Sequence, residues 1–219
     1  MAKLILKPVA TQSIHRLFPT IIYQKNIWSK VSLCTALHRG LLKECKVLQE
    51  EDAFGREWSK LNYRHGYTSY NSVNDLHQRF AHFSELERKI TTHVMRFATA
   101  VHWDLQRGKL AMTDCWVNVM GENSTHSLHL HPNSVVSGTY YVQIPKGSSP
   151  LKFEDPRLSK MMASPSRKRT APLALQPFVT LKPEPGQVVL FESWLRHEVP
   201  MSPTKTPRIS ISFNYDWVK

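Results

Sequence analysis

Cysteine is scarce in this 219-residue chain: Cys34, Cys45 and Cys115 are widely spaced and form no CxxC pair. An odd, scattered set argues against a disulfide scaffold or a cysteine-ligated zinc site. It fits a reducing compartment, so a cytoplasmic location is expected. Long apolar runs are missing as well. None approaches the ~18 residues of a membrane span, and no membrane partner is expected. No acidic residue precedes Glu44. That is a faint hint of a transit peptide, but the opening MAKLILKPVATQSIHRLF lacks the apolar core and small-residue cleavage site of a secretion signal. Internal repeats are absent. Blocks of like charge are nearly so: Lys and Arg total 29 against 17 Asp and Glu, a net charge of +12, yet only SRKRT (Ser166 to Thr170) is dense. That stretch reads first as a solvated loop and second as a nucleic-acid patch, so nucleic acid is the less favoured partner. A positive field would equally draw in small acids.

What is present is the composition of a folded globular protein, 41% apolar and 21% charged. The length suits one domain, residues 1–219. Its first half reads as helical. Leu33, Leu37, Leu41, Cys45 and Leu48 recur every three or four residues and predict a helix from about Ser29 with one buried face. The capping box Ser84–Glu87 predicts a second helix, with Leu86, Ile90, Val94, Phe97 and Val101 on one stripe. Residues 62–74 read as a loop or short strands. From about residue 111 the pattern changes to short β runs: CWVNVM, SLHLH, SGTYYVQI, LKFED, QVVLFE and RISISFNYDW, punctuated by Pro, Gly or Ser. Residues 159–177 read as a long loop that could act as a lid and touch substrate, with Arg157 just before it. A β double layer after helices predicts an antiparallel sandwich or barrel, with residues 1–110 supplying a strand and bracing helices and residues 111–219 the β core.

Three of the eleven histidines crowd into THSLHLHP, Thr125 to Pro132. Alternate residues of a strand share a face, so His129 and His131 point together, with backbones roughly 6–7 Å apart. Such a pair can converge on one ion with metal–nitrogen bonds of ~2.0–2.2 Å. Alone it is no better a ligand pair than a structural one, and it names no metal. In a regular strand His126 would point elsewhere. His197 follows QVVLFE and a short turn. In the last strand Arg208, Ser210, Ser212 and Asn214 alternate with Ile209, Ile211, Phe213 and Tyr215. A polar face inside a two-layer core is unusual, and a buried arginine there needs an anion. That anion is either a bound carboxylate or a protein carboxylate such as Asp155 or Glu192. The other histidines, including His38, His65, His77, His82, His93 and His102, read as surface or satisfied core residues.

The early histidine pair, the late histidine and an R-x-S beyond it resemble the iron(II)- and 2-oxoglutarate-dependent oxygenases. HLHPNSVVSGTYYV, LKFEDPR, VVLFESWLRHEV and RISISFN look like a group of 2-oxoglutarate/iron oxygenases found mainly in bacteria and phages, and LFPTIIYQ looks like its opening strand. The resemblance implies a double-stranded β-helix (jelly roll, cupin-like) braced by the helices of the N-terminal half. It implies iron(II) as metal, 2-oxoglutarate as cosubstrate and dioxygen as oxidant. His129 and His197 would be the two metal histidines, Arg208 the anchor of the distal carboxylate, with Ser210, Tyr140 or Tyr141 and Asn118 beside it. Where most of the superfamily carries H-x-D or H-x-E, this chain has His131. The expected metal set is therefore His129, His131 and His197, with Asn133, Glu154 or Asp155 as other candidates for the third ligand. The expected activity is hydroxylation of a small-molecule or peptide substrate with release of succinate and carbon dioxide. Two alternatives stand beside it: a three-histidine cupin-like protein or dioxygenase that does not use 2-oxoglutarate, and a basic nucleic-acid-binding module. The sequence names no substrate and leaves a homodimer open.

Overall fold

The computed structural model describes Gln12, residues 14–27 and residues 36–219. Among these residues ten strands form two antiparallel sheets. The larger has the order β1-β8-β5-β10-β3-β2 and the smaller β4-β9-β6-β7, with β1 at Ile22–Asn26, β2 at Gly66–Thr68, β3 at Lys109–Met120, β4 at His126–His129, β5 at Val136–Gln143, β6 at Leu151–Glu154, β7 at Phe178–Leu181, β8 at Gln187–Glu192, β9 at His197–Val199 and β10 at Arg208–Val218. This is the double-stranded β-helix that the sequence predicts. β7 and β9 are too short to show alternation and emerge only from pairing, β7 with β6 and β9 with β4 and β6. The first half also enters the sheet, since β1 pairs with β8 and β2 with β3.

Four helices, α1 (Ala36–Glu51), α2 (Ala53–Asn62), α3 (Leu76–Arg79) and α4 (Ala81–Ala100), precede β3. Leu37, Leu41, Cys45 and Leu48 of α1 and Leu86, Ile90, Val94 and Phe97 of α4 are buried, as their spacing predicts. Leu33 and Cys34 lie outside the described residues. α4 begins three residues ahead of the Ser84–Glu87 box: Ser84 N–H already donates to the Phe80 carbonyl, 3.0 Å. The apolar Phe83, fully buried, extends the helix upstream, because burying a Phe outweighs the roughly 1 kcal/mol a cap supplies.

The core splits by sheet face. Ile209, Ile211, Phe213 and Tyr215 of β10 pack with α1 and α4 in one cluster, which also holds Val117, Val119, Tyr140, Val188 and Leu190. The opposite face of the same strands turns toward the smaller sheet. There Tyr141, Val189, Phe191, Leu151 and Phe153 form a second, smaller cluster. Polar side chains occupy the rest of that interior, and they make the site.

Candidate metal centre

β4 and β9 lie side by side with His129 opposite His197. Two residues past β4, His131 is held by its N–H donating to the Ser193 carbonyl, 2.9 Å. The three rings gather: centroids are 4.3 Å apart for His129–His197, 5.2 Å for His131–His197 and 5.3 Å for His129–His131. One nitrogen from each lies within 4.8 Å of the others, within small side-chain adjustments of a common ion. Each ring is also oriented through Nδ1. That of His129 donates to the Ser127 carbonyl at 2.7 Å, that of His197 to the Leu195 carbonyl at 2.9 Å, and that of His131 to Asn214 Oδ1 at 2.6 Å. With the proton on Nδ1, Nε2 carries the lone pair on all three rings. Burial lowers the pKa of each, so the rings are neutral near pH 7. Three neutral imidazole donors fit a divalent transition metal.

Beyond the histidines the register of β3, β10 and β5 sets three rows of inward side chains: Asn118–Ser210–Tyr141, Trp116–Ser212–Thr139 and Asp114–Asn214–Ser137. Arg208 caps the first row. It is 4% exposed, and no salt bridge joins it to a carboxylate among the described residues. Nη1 reaches only Met120 Sδ at 3.0 Å, the guanidinium sits 5.1 Å from the Tyr141 ring centroid, and Nε has no partner. The hydroxyls of Tyr63 and Tyr141 and the Asn118 Oδ1 are likewise buried without partners. A guanidinium and two phenols left unpaired around one cavity fit an anionic, carboxylate-bearing ligand.

Several expectations are corrected. Tyr140 turns to the helix side, where its hydroxyl meets His38 Nδ1 at 3.0 Å. Strand alternation sends Tyr141 inward instead. His126 faces the site after all, because β4 shifts register between His126 and His129. Its ring stacks on His129 at 4.4 Å, and burial, with His129 and Arg208 nearby, pushes its pKa down to about 3. Glu154 pairs with Arg196 at 2.7 Å and Asp155 with Arg157 at 2.9 Å, so both carboxylates are engaged, and Asp155 is no partner of Arg208. Asn133 is exposed. No residue of 159–177 lines either the inner pocket or the cleft outside it. That segment folds into two single 3-10 turns, with Gln176 Nε2 donating to the carbonyls of Lys168 and Ala171 at 3.1 and 3.0 Å. Sequence reasoning missed Tyr63, contributed from the end of α2 without any motif. It also missed the role of Asn214, which the alternation of β10 had placed on the right face.

Fold and site together define a double-stranded β-helix protein with a three-histidine centre and a buried arginine behind it. Residues 114–214, a little under half of the chain, match the family described as "Putative 2OG-Fe(II) oxygenase". Solved structures of the same fold include a Pseudomonas putida prolyl-4-hydroxylase (TM-score 0.58, 14% identity, 90% of this chain and 92% of that one). They also include the carbocyclase SnoK from nogalamycin biosynthesis (0.61, 12%, 90% and 79%) and HygX from Streptomyces hygroscopicus with nickel and 2-oxoglutarate bound (0.55, 12%, 90% and 83%). Comparison with proteins of curated function yields no match. No helix among the described residues is long and apolar enough to cross a membrane.

Proposed function

We propose that this chain is a hydroxylase in which His129, His131 and His197 hold iron(II) through Nε2 and Arg208 anchors the distal carboxylate of 2-oxoglutarate. The observation that carries the reading is the buried, carboxylate-free guanidinium of Arg208. A charge removed from water without a counter-ion costs several kcal/mol, and a bidentate carboxylate is its natural complement. The Tyr141 hydroxyl and Ser210 add donors beside it. A facial set of three protein ligands leaves the remaining positions for cosubstrate and oxidant.

His131 takes the third position because Glu154 and Asp155, the other candidates carrying a carboxylate, are already paired, and the Asn214 acceptor on Nδ1 leaves its Nε2 free for the ion. Bound iron(II) with 2-oxoglutarate and dioxygen supplies the oxidising power for substrate hydroxylation, with succinate and carbon dioxide released. The protein's part is geometric. Backbone carbonyls and Asn214 hold the three rings in one tautomer, Phe191 packs against His197 at 4.6 Å to keep water from its back face, and Trp116 walls the site beside His131 at 5.8 Å.

The test is an anaerobic titration of metal-free protein with iron(II), then 2-oxoglutarate, following the weak visible charge-transfer band of the chelate. A band that weakens in Arg208→Ala and His131→Ala supports the reading. Iron bound without a band would favour a three-histidine dioxygenase that does not use 2-oxoglutarate. No iron binding would overturn both.

A further inference from the structure

We infer that the substrate carries a cationic nitrogen, an alkylammonium or guanidinium, which Asp114 and Asp216 receive in the cleft outside the metal centre; this rests on the oxygenase reading above. The cleft has a volume of ≈ 590 Å³, enough for a small molecule or one long side chain. In a chain with 29 basic residues against 17 acidic ones, no lysine or arginine among the described residues lines it, whereas both aspartates do. Its walls are aromatic: Trp58, Tyr70 and Trp116, the last two in edge contact at 4.9 Å. Carboxylates beside ring faces, with no competing cation, form a receptor for a positively charged nitrogen.

Neither aspartate has a cationic partner among the described residues. Asp114 accepts only from neutral donors, Asn74 Nδ2 at 3.0 Å, Thr113 Oγ1 at 3.1 Å and Asn214 Nδ2 at 3.3 Å. Asp216 enters no salt bridge among the described residues; burial and the neighbouring Asp114 push its pKa up, against a hydrogen bond with Ser134 that lowers it. A further group points to a donor ligand. Asn118 is 3% exposed and lines this cleft; its Nδ2 donates to Ser212 Oγ at 3.0 Å, leaving Oδ1 buried without a partner. A fully ionised 2-oxoglutarate offers acceptors only and cannot satisfy that oxygen. A substrate N–H can. Asp114 also lies one amide away from the metal centre, through Asn214 to His131.

The test uses anaerobic protein loaded with iron(II) and 2-oxoglutarate, so that ligands bind without turnover, and calorimetry as readout. Probes are spermidine, a short lysine-containing peptide, and the same peptide with its lysine acetylated. The charged peptide or spermidine should bind at least tenfold tighter than the acetylated peptide. Asp216→Asn should weaken that binding about tenfold and Asp216→Lys abolish it. Whichever charged probe binds tighter identifies a free amine or a peptide as the source of the cation. Equal binding of the acetylated peptide, or no loss in Asp216→Asn and Asp114→Asn alike, would overturn the inference. The chelate band separates the two readings. A band without cation binding sinks the substrate class and leaves the oxygenase; cation binding without a band sinks the oxygenase and leaves the charged cleft.

Discussion

Arg208 concentrates the chemistry of the inner pocket in one side chain. Arg208→Gln keeps the volume but removes the charge-assisted pair, worth ~1.5–3 kcal/mol. Its dissociation constant for 2-oxoglutarate should rise on the order of tenfold to a hundredfold while iron binding is retained, which the chelate titration reads directly. Arg208→Lys should recover only part of this, because a point charge lacks the planar fork. Asn214 acts one step further from the ligand. Asn214→Leu deprives His131 Nδ1 of its acceptor, although Ser137 Oγ stays 2.8 Å from that nitrogen. Loss of such a supporting hydrogen bond lowers metal affinity about 10–100-fold, and competition with a chromophoric chelator measures it. Unchanged affinity would mean that Ser137 suffices to orient the ring.

Among the elements, β5 and β10 matter most, since their pairing fixes both faces of the larger sheet. Gly138 sits where they cross the helix layer. A Cβ there would meet the Phe213 ring at 2.6 Å and the Val189 carbonyl oxygen at 2.7 Å. Gly138→Val should therefore cost ~1–3 kcal/mol through overpacking and lower the urea midpoint with the denaturant slope unchanged. β4 shows the opposite use of irregularity. Its register shift turns His126 onto the face of His129, a placement that strand alternation forbids. Alternation held through the in-register stretches of β3, β5 and β10, despite a register shift in each pairing, and it put Asn118, Ser210 and Asn214 on the polar face. It failed for Tyr140 only because two adjacent tyrosines left the choice of face to the sheet.

For the whole molecule, burial is the main cause holding six histidines below their ordinary pKa of 6.5: His38, His93, His126, His129, His131 and His197. Unfolded, they take up protons near pH 6.5; folded, they do so only at lower pH. The unfolded state thus binds more protons in between, so stability is present above about pH 6.5 and is lost as pH falls below it. The urea midpoint of metal-free protein should drop between pH 7.5 and 5.5. Added zinc or iron(II) should raise that midpoint more at pH 7.5 than at 5.5, because protons compete for the same nitrogens. A midpoint flat across this range would mean that the cluster is as open to water folded as unfolded.

Local pattern was enough for the strands, the helix stripes and the polar face of β10, since each is written in residues two or three to four apart. The resemblance carried by those runs, rather than spacing, put His129, His131, His197 and Arg208 forward as a set. The tertiary structure decided what depends on elements distant in the chain. It left Arg208 without a protein carboxylate among the described residues, and it paired Glu154 with Arg196, 42 positions away. It brought Tyr63 from α2 against a pocket built more than fifty residues later. It also drew Asp114 and Asp216 into one cleft, although the strands that carry them lie about a hundred residues apart. No window of sequence contains such a contact, because the chain closes it only when strands as distant as β3 and β10 pair.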